Sequence, residues 1–117
     1  MTPKELKDRT KKFAVKVILL VRELPTTTDG RELGRQLMRA GTSVASNYRA
    51  ACRARSKAEF IAKLGTVLEE SDESLFWLEL IVDSKMKPQA RLDPLMNEAN
   101  QLTAIFTASL KTAKQNP

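Results

Sequence analysis

The feature that most constrains the fold is the stretch 33–64, in which two helical patterns meet at a short basic junction. In its first part, apolar or small residues recur every three or four positions, which is the spacing of one stripe along an α-helix. This stripe comprises Leu33, Leu37, Ala40, Val44, Tyr48 and Ala51. At roughly 100° per residue, a second set lies on the back of the same helix and is called the arginine ladder here: Arg31, Arg35, Arg39, Arg49 and Arg53.

The second pattern of this stretch predicts a long helix. Ser56 and Glu59 have the spacing of a capping box, with Ser56 as the N-cap and Glu59 reaching back to it. Apolar residues and one serine then follow a heptad, which is typical of a helix packed in a bundle. The predicted seam residues are Ile61, Leu64, Leu68, Ser71, Leu75, Leu78 and Val82.

Two further helices complete the predicted fold. The first has an apolar side and precedes the break at 25–30, a connection of the length that joins antiparallel helices. Asp93 and Pro94 offer N-cap and N1 residues for the last one. A chain of 117 residues is suited to a single domain, here 1–117. We expect an all-α, antiparallel up-down-up-down four-helix bundle with helices near 4–24, 31–53, 57–86 and 94–113.

The residue types present argue against a catalytic or metal site. The chain contains no histidine, and Cys52 is its only cysteine, so a Cys/His metal site cannot form. We expect Cys52 to be a small apolar residue at the edge of the core stripe. The acidic group Glu69, Glu70 and Glu73 lacks the Glu-x-x-His ligands of di-iron carboxylate bundles. The sequence thus predicts a protein that is not an enzyme and has no cofactor and no metal.

The sequence shows no run of about 20 apolar residues and no apolar segment of the kind found in a secretory signal. We therefore expect a cytoplasmic protein with no membrane partner.

The formal charge of +6 is unevenly divided along the chain. Residues 1–58 carry 14 Lys and Arg against 5 Asp and Glu, whereas residues 59–117 carry 6 against 9. Such asymmetry is compatible with a nucleic-acid surface, and equally with two faces of one protein that meet each other in an assembly.

Large apolar residues fall outside the stripes expected to face the core. Val15 and Leu19 lie on other sides of the first helix, and Phe76, Trp77 and Leu80 lie beside an acidic cluster on the third. Monomers do not usually leave this much apolar surface in water, so we expect a homo-oligomer, and specifically a ring. The predicted oligomer interface comprises Val15, Leu19, Arg35, Arg39, Glu69, Glu73, Phe76, Trp77 and Leu80.

The arginine ladder leaves three interpretations open. It can be a solvated helix face. It can meet the glutamates 69, 70 and 73 of another copy, with Trp77 available to stack on a guanidinium. It can also contact nucleic-acid phosphates, in which case the expected residues, together with the N-terminal lysines, are Arg49, Arg53, Arg55 and Lys57. No aromatic pattern accompanies these cations, so sequence-specific base stacking is not supported.

One part of the sequence resembles a known family. The motifs that carry the resemblance are Gln36-Leu37, Ser46-Asn47-Tyr48-Arg49, Glu59-Phe60-Ile61 and Trp77-Leu78-Glu79-Leu80. Together they are similar to the four-helix-bundle proteins encoded within 23S rRNA intervening sequences, which are similar in fold to the accessory variability proteins of diversity-generating retroelements. The resemblance covers about residues 5 to 83. It implies an antiparallel bundle and, commonly, a ring of five protomers; the retroelement relatives imply basic rings that bind a reverse transcriptase and nucleic acid.

Two functional hypotheses of different classes are left. The first is a basic homo-oligomer, a pentamer by the resemblance, that binds RNA or DNA weakly and without strong sequence specificity, as an accessory to a nucleoprotein or reverse-transcriptase complex. The second is a protein-only oligomeric scaffold or interaction module with no nucleic-acid role. Binding through several phosphates would weaken steeply between about 50 and 200 mM salt, and scaffold-type association would not.

Overall fold

A computed structural model describes residues 1–116, which form four α-helices and no strand. The helices are α1 (Pro3–Val21), α2 (Thr28–Ala51), α3 (Lys57–Asp83) and α4 (Gln89–Gln115). Each helix packs against the next, and α4 returns to contact α1. Because the connections are short, consecutive helices run antiparallel and build a bundle of 49 × 21 × 19 Å. The predicted all-α four-helix bundle is confirmed.

The core lies along the bundle axis and takes side chains from every helix. The predicted stripe of α2 is confirmed, since all its members are buried except Leu33, which is half-buried. The largest fully buried side chains are Phe13, Val17, Leu20, Leu37, Val44, Leu64, Val67, Leu78, Ile81, Leu92, Leu102 and Phe106. Between α1 and α4, the least extensively packed pair of neighbouring helices, Arg9 Nε and Nη2 donate to Glu98 at 2.8 and 2.7 Å and form a bidentate ion pair.

In α3 the buried side of the helix is rotated relative to the predicted seam, so that part of the seam lies at the border between core and surface. Three of its seven residues are buried, but the other four are only half-buried: Ile61, Leu68, Leu75 and Val82. The second buried row consists of Val67, Ser74 and Ile81. Serines are tolerated in this core because the hydroxyls of Ser71 and Ser74 donate to carbonyl oxygens three or four residues earlier, at 2.9 and 2.8 Å.

Side-chain caps explain why α1 and α2 begin earlier than expected. Thr2 Oγ1 accepts from the Glu5 N–H at 3.1 Å, and the Glu5 carboxylate accepts from the Thr2 N–H at 3.3 Å, which completes a capping box. Thr27 Oγ1 accepts from the Gly30 N–H at 3.2 Å, so α2 begins at Thr28 rather than near 31. Gly30 is required there, because a Cβ would lie 2.1 Å from the carbonyl oxygen of Pro25.

The start of α3 matches its prediction, and its end comes earlier. Ser56 Oγ accepts from the Glu59 N–H at 3.0 Å, while the Glu59 carboxylate accepts from the N–H of Arg55 rather than that of Ser56. The helix ends at Asp83 instead of near 86. Lys85 has a φ of 62°, a left-handed conformation that turns the chain out of the helix.

The predicted start of α4 at Asp93 and Pro94 is wrong. The helix begins at Gln89, and Pro94 lies inside it. Leu92 and Leu95 are both buried, and the helical backbone that continues across Pro94 places both on the core side. Their burial, worth about 1.5–3 kcal/mol each, outweighs the backbone hydrogen bond that proline cannot donate.

The expected position of Cys52 at the core edge is also wrong. Cys52 is exposed, because α2 ends at Ala51 and Cys52 is its C-cap residue. None of the helices in residues 1–116 is long and apolar enough to cross a membrane.

Candidate functional site

A groove of about 520 Å³ runs between α1 and α2, at the end of the bundle where α1 begins and α2 ends. Its cationic lining residues are Lys4, Lys7, Lys11, Arg49 and Arg53. Among residues 1–116, Asp8 is the single carboxylate in the lining, and the remaining lining residues are small: Thr42, Ala45 and Ser46. We call this feature the basic groove.

Helix periodicity explains how the basic groove forms. Lys4, Lys7 and Lys11 are three and four residues apart, which places them on one side of α1. Arg49 lies in the last turn of α2 and Arg53 in the turn that follows the helix, and both line the groove. Since α1 and α2 are antiparallel neighbours, the first turns of one lie beside the last turns of the other. Two rows of cations therefore face the same groove.

Most of these cations have no carboxylate partner. Within residues 1–116, no ion pair is formed by Lys7, Lys11, Arg49 or Arg53. Lys4 Nζ lies 3.3 Å from Asp8 Oδ2, and both side chains are largely exposed. An exposed pair of this kind is worth about 0.3–0.5 kcal/mol and leaves most of the positive potential available to an anion.

The structure separates the four residues predicted for nucleic-acid contact. Arg49 and Arg53 line the basic groove, whereas Arg55 and Lys57 lie outside it, in the turn and at the start of α3. The Arg55 side chain is 92% exposed, and its Nε lies 3.9 Å from Glu59 Oε2. The groove lysines were expected only collectively, as N-terminal lysines. The spacing of Lys4, Lys7 and Lys11 shows that they share one side of α1, but not which helix that side faces.

Every member of the arginine ladder is exposed, but the members have different partners. Arg35 Nη2 lies 2.7 Å from Glu32 Oε1 of the same helix. Arg39 reaches across to α3, where its Nη1 lies 3.2 Å from Glu70 Oε2 and its Nη2 contacts Glu73. A contact of the ladder with glutamates of another copy stays a prediction, and Arg39 already binds two glutamates of its own chain.

The cluster around Arg39 continues to the surface of α3. Glu73 Oε1 accepts a hydrogen bond from Trp77 Nε1 at 3.1 Å, and the Trp77 ring meets the Phe76 ring edge-on at a centroid distance of 5.2 Å. Burial raises the pKa of the Glu70 carboxyl above its ordinary value and outweighs the opposing effect of Arg39. Arg39, Glu73 and Trp77 thus form one connected network.

The five apolar residues predicted at the oligomer interface are accessible. Val15, Leu19 and Phe76 are 48%, 47% and 49% exposed, and Trp77 and Leu80 are half-buried. They form two separate surfaces. We call Val15 and Leu19, with the neighbouring lysines 11, 12 and 16, the α1 patch. The α3 patch consists of Phe76, Trp77 and Leu80.

A third cavity, of about 380 Å³, is mainly apolar and is lined by Pro3, Tyr48, Ala51, Cys52, Ala54 and Phe60. Burial raises the pKa of the Tyr48 phenol, so this hydroxyl stays protonated. Among residues 1–116, no three His, Cys, Asp or Glu side chains are grouped closely enough to hold a metal ion.

Comparisons with known proteins agree on one family. A family model described as 23S rRNA-intervening sequence protein matches residues 4–108, a range that includes the basic groove and both patches. The fold is similar, with a TM-score of 0.87, to the crystal structure of a protein of unknown function from the S23 ribosomal protein family of Bacteroides thetaiotaomicron. The two chains are 29% identical, and the match covers 95% of this chain and 99% of that one. No curated protein matches. The chain therefore belongs to the family of 23S rRNA-intervening sequence proteins.

Proposed function

We propose that this protein is a cytoplasmic, non-enzymatic homo-oligomer that binds the phosphate backbone of RNA or DNA in the basic groove, weakly and without strong sequence specificity. One observation carries the proposal. Five cations line a single groove between two helices, and four of them form no ion pair within residues 1–116. An extended polyanion that follows the groove would supply the missing counter-charges.

The lining of the groove favours the nucleic-acid backbone over the bases. Contacts from Lys and Arg to phosphates fix the position of a strand but carry no sequence information. Proteins that hold single strands through their bases use aromatic stacking platforms, and the groove lining contains no aromatic residue. Binding in this groove is therefore tolerant of sequence and sensitive to salt.

Self-association is the second part of the proposal. The exposed α1 and α3 patches support it, because apolar patches rimmed by polar and charged residues are typical of protein–protein contact sites. The family resemblance implies a homopentamer. Because that family is similar in fold to retroelement accessory proteins, we extend the proposal to a reverse transcriptase or another protein as a further partner.

A protein-only scaffold is the second candidate function. The apolar patches favour it, since their chemistry suits a protein surface and does not require nucleic acid. In that case the cations of the basic groove only solvate one end of the bundle.

Fluorescence anisotropy with labelled single strands of RNA and DNA tests the proposal. With about five phosphate contacts, the affinity of the parent protein should fall roughly a hundredfold between about 50 and 200 mM salt. In a groove variant, Lys7→Glu with Arg53→Glu, we expect affinity at low salt to fall at least about tenfold and the salt slope to become shallower. Both side chains are exposed, so the fold should persist.

A matched control is provided by Arg55→Glu with Lys57→Glu. This variant has the same change in charge at the same end of the bundle, but outside the groove. It should keep most of the affinity. An equal loss of affinity in the two variants would show that binding depends on net charge rather than on the groove. An absence of binding by the parent at about 50 mM salt would leave the scaffold as the function.

A further inference from the structure

The α1 patch is an aliphatic surface surrounded by positive charge. Val15 and Leu19 lie in a surface depression of about 530 Å³ whose other lining residues are Asp8, Lys11, Lys12 and Lys16. Asp8, the only acidic residue there, contacts Lys4. A complementary surface would therefore present large apolar side chains surrounded by carboxylates.

The α3 patch has those properties. Phe76 is exposed at its centre, and at 100° per residue the carboxylates around it on the same side of α3 include Glu69, Asp72, Glu79 and Asp83. All four are exposed, and none forms an ion pair within the part of the chain that the structure describes. The two basic residues of α3, Lys57 and Lys63, fall on other sides of the helix.

The Arg39 network holds the α3 patch in a fixed arrangement. Arg39 binds Glu73, and Glu73 in turn accepts the indole N–H of Trp77. The Trp77 ring packs edge-on against Phe76. Ordering these side chains before association reduces the entropy lost on binding.

The two patches cannot meet within one chain. Both α1 and α3 pack against α2 and α4 but not against each other, so they lie diagonally across the bundle. Their outer surfaces consequently face opposite sides of the molecule. The surface that matches either patch is found on a second copy.

We propose that the α1 patch of one copy binds the α3 patch of the next, with Phe76 placed against Val15 and Leu19 and the lysines facing the carboxylates. This inference rests on the self-association in the proposed function and specifies which surfaces make it. The contact is heterologous, so an open row of copies always leaves one α1 patch unbound at one end and one α3 patch unbound at the other, until a ring closes. Contact between like patches is opposed, because it would bring lysines against lysines or carboxylates against carboxylates.

A mixing experiment tests the proposal. The first variant, Val15→Glu with Leu19→Glu, loses its α1 patch; the second, Phe76→Lys with Glu79→Lys, loses its α3 patch. All four positions are exposed, and circular dichroism would check that both variants are folded. Each variant alone should sediment as a monomer of 13.1 kDa. Mixed in equal amounts, they should form a one-to-one heterodimer, because the intact α3 patch of the first meets the intact α1 patch of the second.

A third variant that carries all four substitutions controls for attraction between the altered surfaces. It should be monomeric by itself. The proposal is overturned if the mixture stays monomeric while the parent associates, or if the second variant dimerises alone through its intact α1 patch. A monomeric parent would remove self-association from the proposed function as well. Nucleic-acid binding is measured separately, so these failures can be told apart from a failure of the basic groove.

Discussion

Gly41 and Gly65 both lie within long helices, but their surroundings differ. A Cβ at Gly41 would lie 2.9 Å from both γ-carbons of Val17, whereas one at Gly65 would meet nothing within 4 Å. Gly41 therefore permits a close approach between α2 and α1. Gly65 has no such role, and in a helix interior glycine is less favourable than alanine by about 1 kcal/mol.

These surroundings predict opposite effects of the same substitution. Gly65→Ala should raise the free energy of unfolding by about 0.4–1 kcal/mol. Gly41→Ala gains the same helix propensity, but it forces the buried Val17 to move, and overpacking of a core costs about 1–3 kcal/mol. We expect a net loss for Gly41→Ala. Urea unfolding of both variants measures the difference, and a stabilised Gly41→Ala would show that the two helices can separate without cost.

Glu70 illustrates how one carboxyl couples stability to pH. Its pKa is raised by burial, although Arg39 Nη1 is 3.2 Å away. A carboxyl whose pKa is raised by folding contributes stability below its ordinary pKa, and that contribution is lost as pH rises through the raised value. Glutamine at this position does not titrate.

Glu70→Gln should therefore gain stability relative to the parent as the pH rises from about 4 to 7. The lowered pKa values of Glu5, Glu23, Asp29 and Glu32 are common to both proteins and cancel in the comparison. Urea unfolding at several pH values in this range gives the difference. The prediction is contradicted if the difference in free energy of unfolding between Glu70→Gln and the parent stays constant as the pH rises, or shifts toward the parent.

At the scale of the elements, α4 contains the clearest conflict between local sequence and fold. Pro88 is its N-cap residue and offers no side-chain hydrogen bond, and Pro94 interrupts the backbone hydrogen bonds of the second turn. The helix persists because Leu92, Leu95, Ala99, Leu102 and Phe106 are all buried on one side of it. Tertiary packing thus overrides an unfavourable start.

Pro94→Ala should consequently stabilise the protein. It restores a donor for the carbonyl of Ala90 and removes the clash of the proline ring with that turn, at an exposed site. We expect a gain of about 1–3 kcal/mol, with the full helix-interior cost of proline as the upper limit. Thermal and urea unfolding would measure it. A loss of stability would mean that the rigidity of Pro94 in the unfolded chain matters more than the missing hydrogen bond.

The elements that the sequence predicted well are those set by local chemistry. The cap at Ser56 and the apolar stripe of α2 depend on residues within a few positions of each other, and both are confirmed. Sequence reasoning failed at Pro94, where burial of Leu92 and Leu95 against other helices decides the backbone, and in α3, where the choice of buried row depends on what packs opposite.

The candidate site was predictable to a similar extent. Arg49 and Arg53 could be identified from their place on the arginine ladder, because periodicity shows the side of a helix. The lysines that face them required the pairing of α1 with α2. The partners of Arg39 depended on α3 being the neighbour of α2, and its contacts with Glu70 and Glu73 lie within one chain.

At the scale of the whole molecule, charge and apolar surface are segregated. The basic groove occupies one end of the bundle between α1 and α2, and the α1 and α3 patches lie on diagonally opposed helices. Under the proposed contact between patches, each added copy brings another basic groove to the assembly. Several weak sites on one particle then act on the same strand through their effective concentration.

This arrangement predicts that affinity depends on strand length only when the protein is assembled. A strand of about 8 nucleotides fills roughly one site, so its affinities for the parent and the monomeric variants should differ only by the effect of the altered charges. A strand of about 60 nucleotides can reach several grooves and should bind the parent on the order of a hundredfold more tightly than a monomeric variant.

Val15→Glu with Leu19→Glu removes positive potential near Lys11, whereas Phe76→Lys with Glu79→Lys adds positive charge. Loss of the length dependence in both variants would therefore be due to loss of assembly rather than to charge. Anisotropy titrations with both strands, at one salt concentration, measure it; equal affinity of the parent for short and long strands would show that the grooves do not act together.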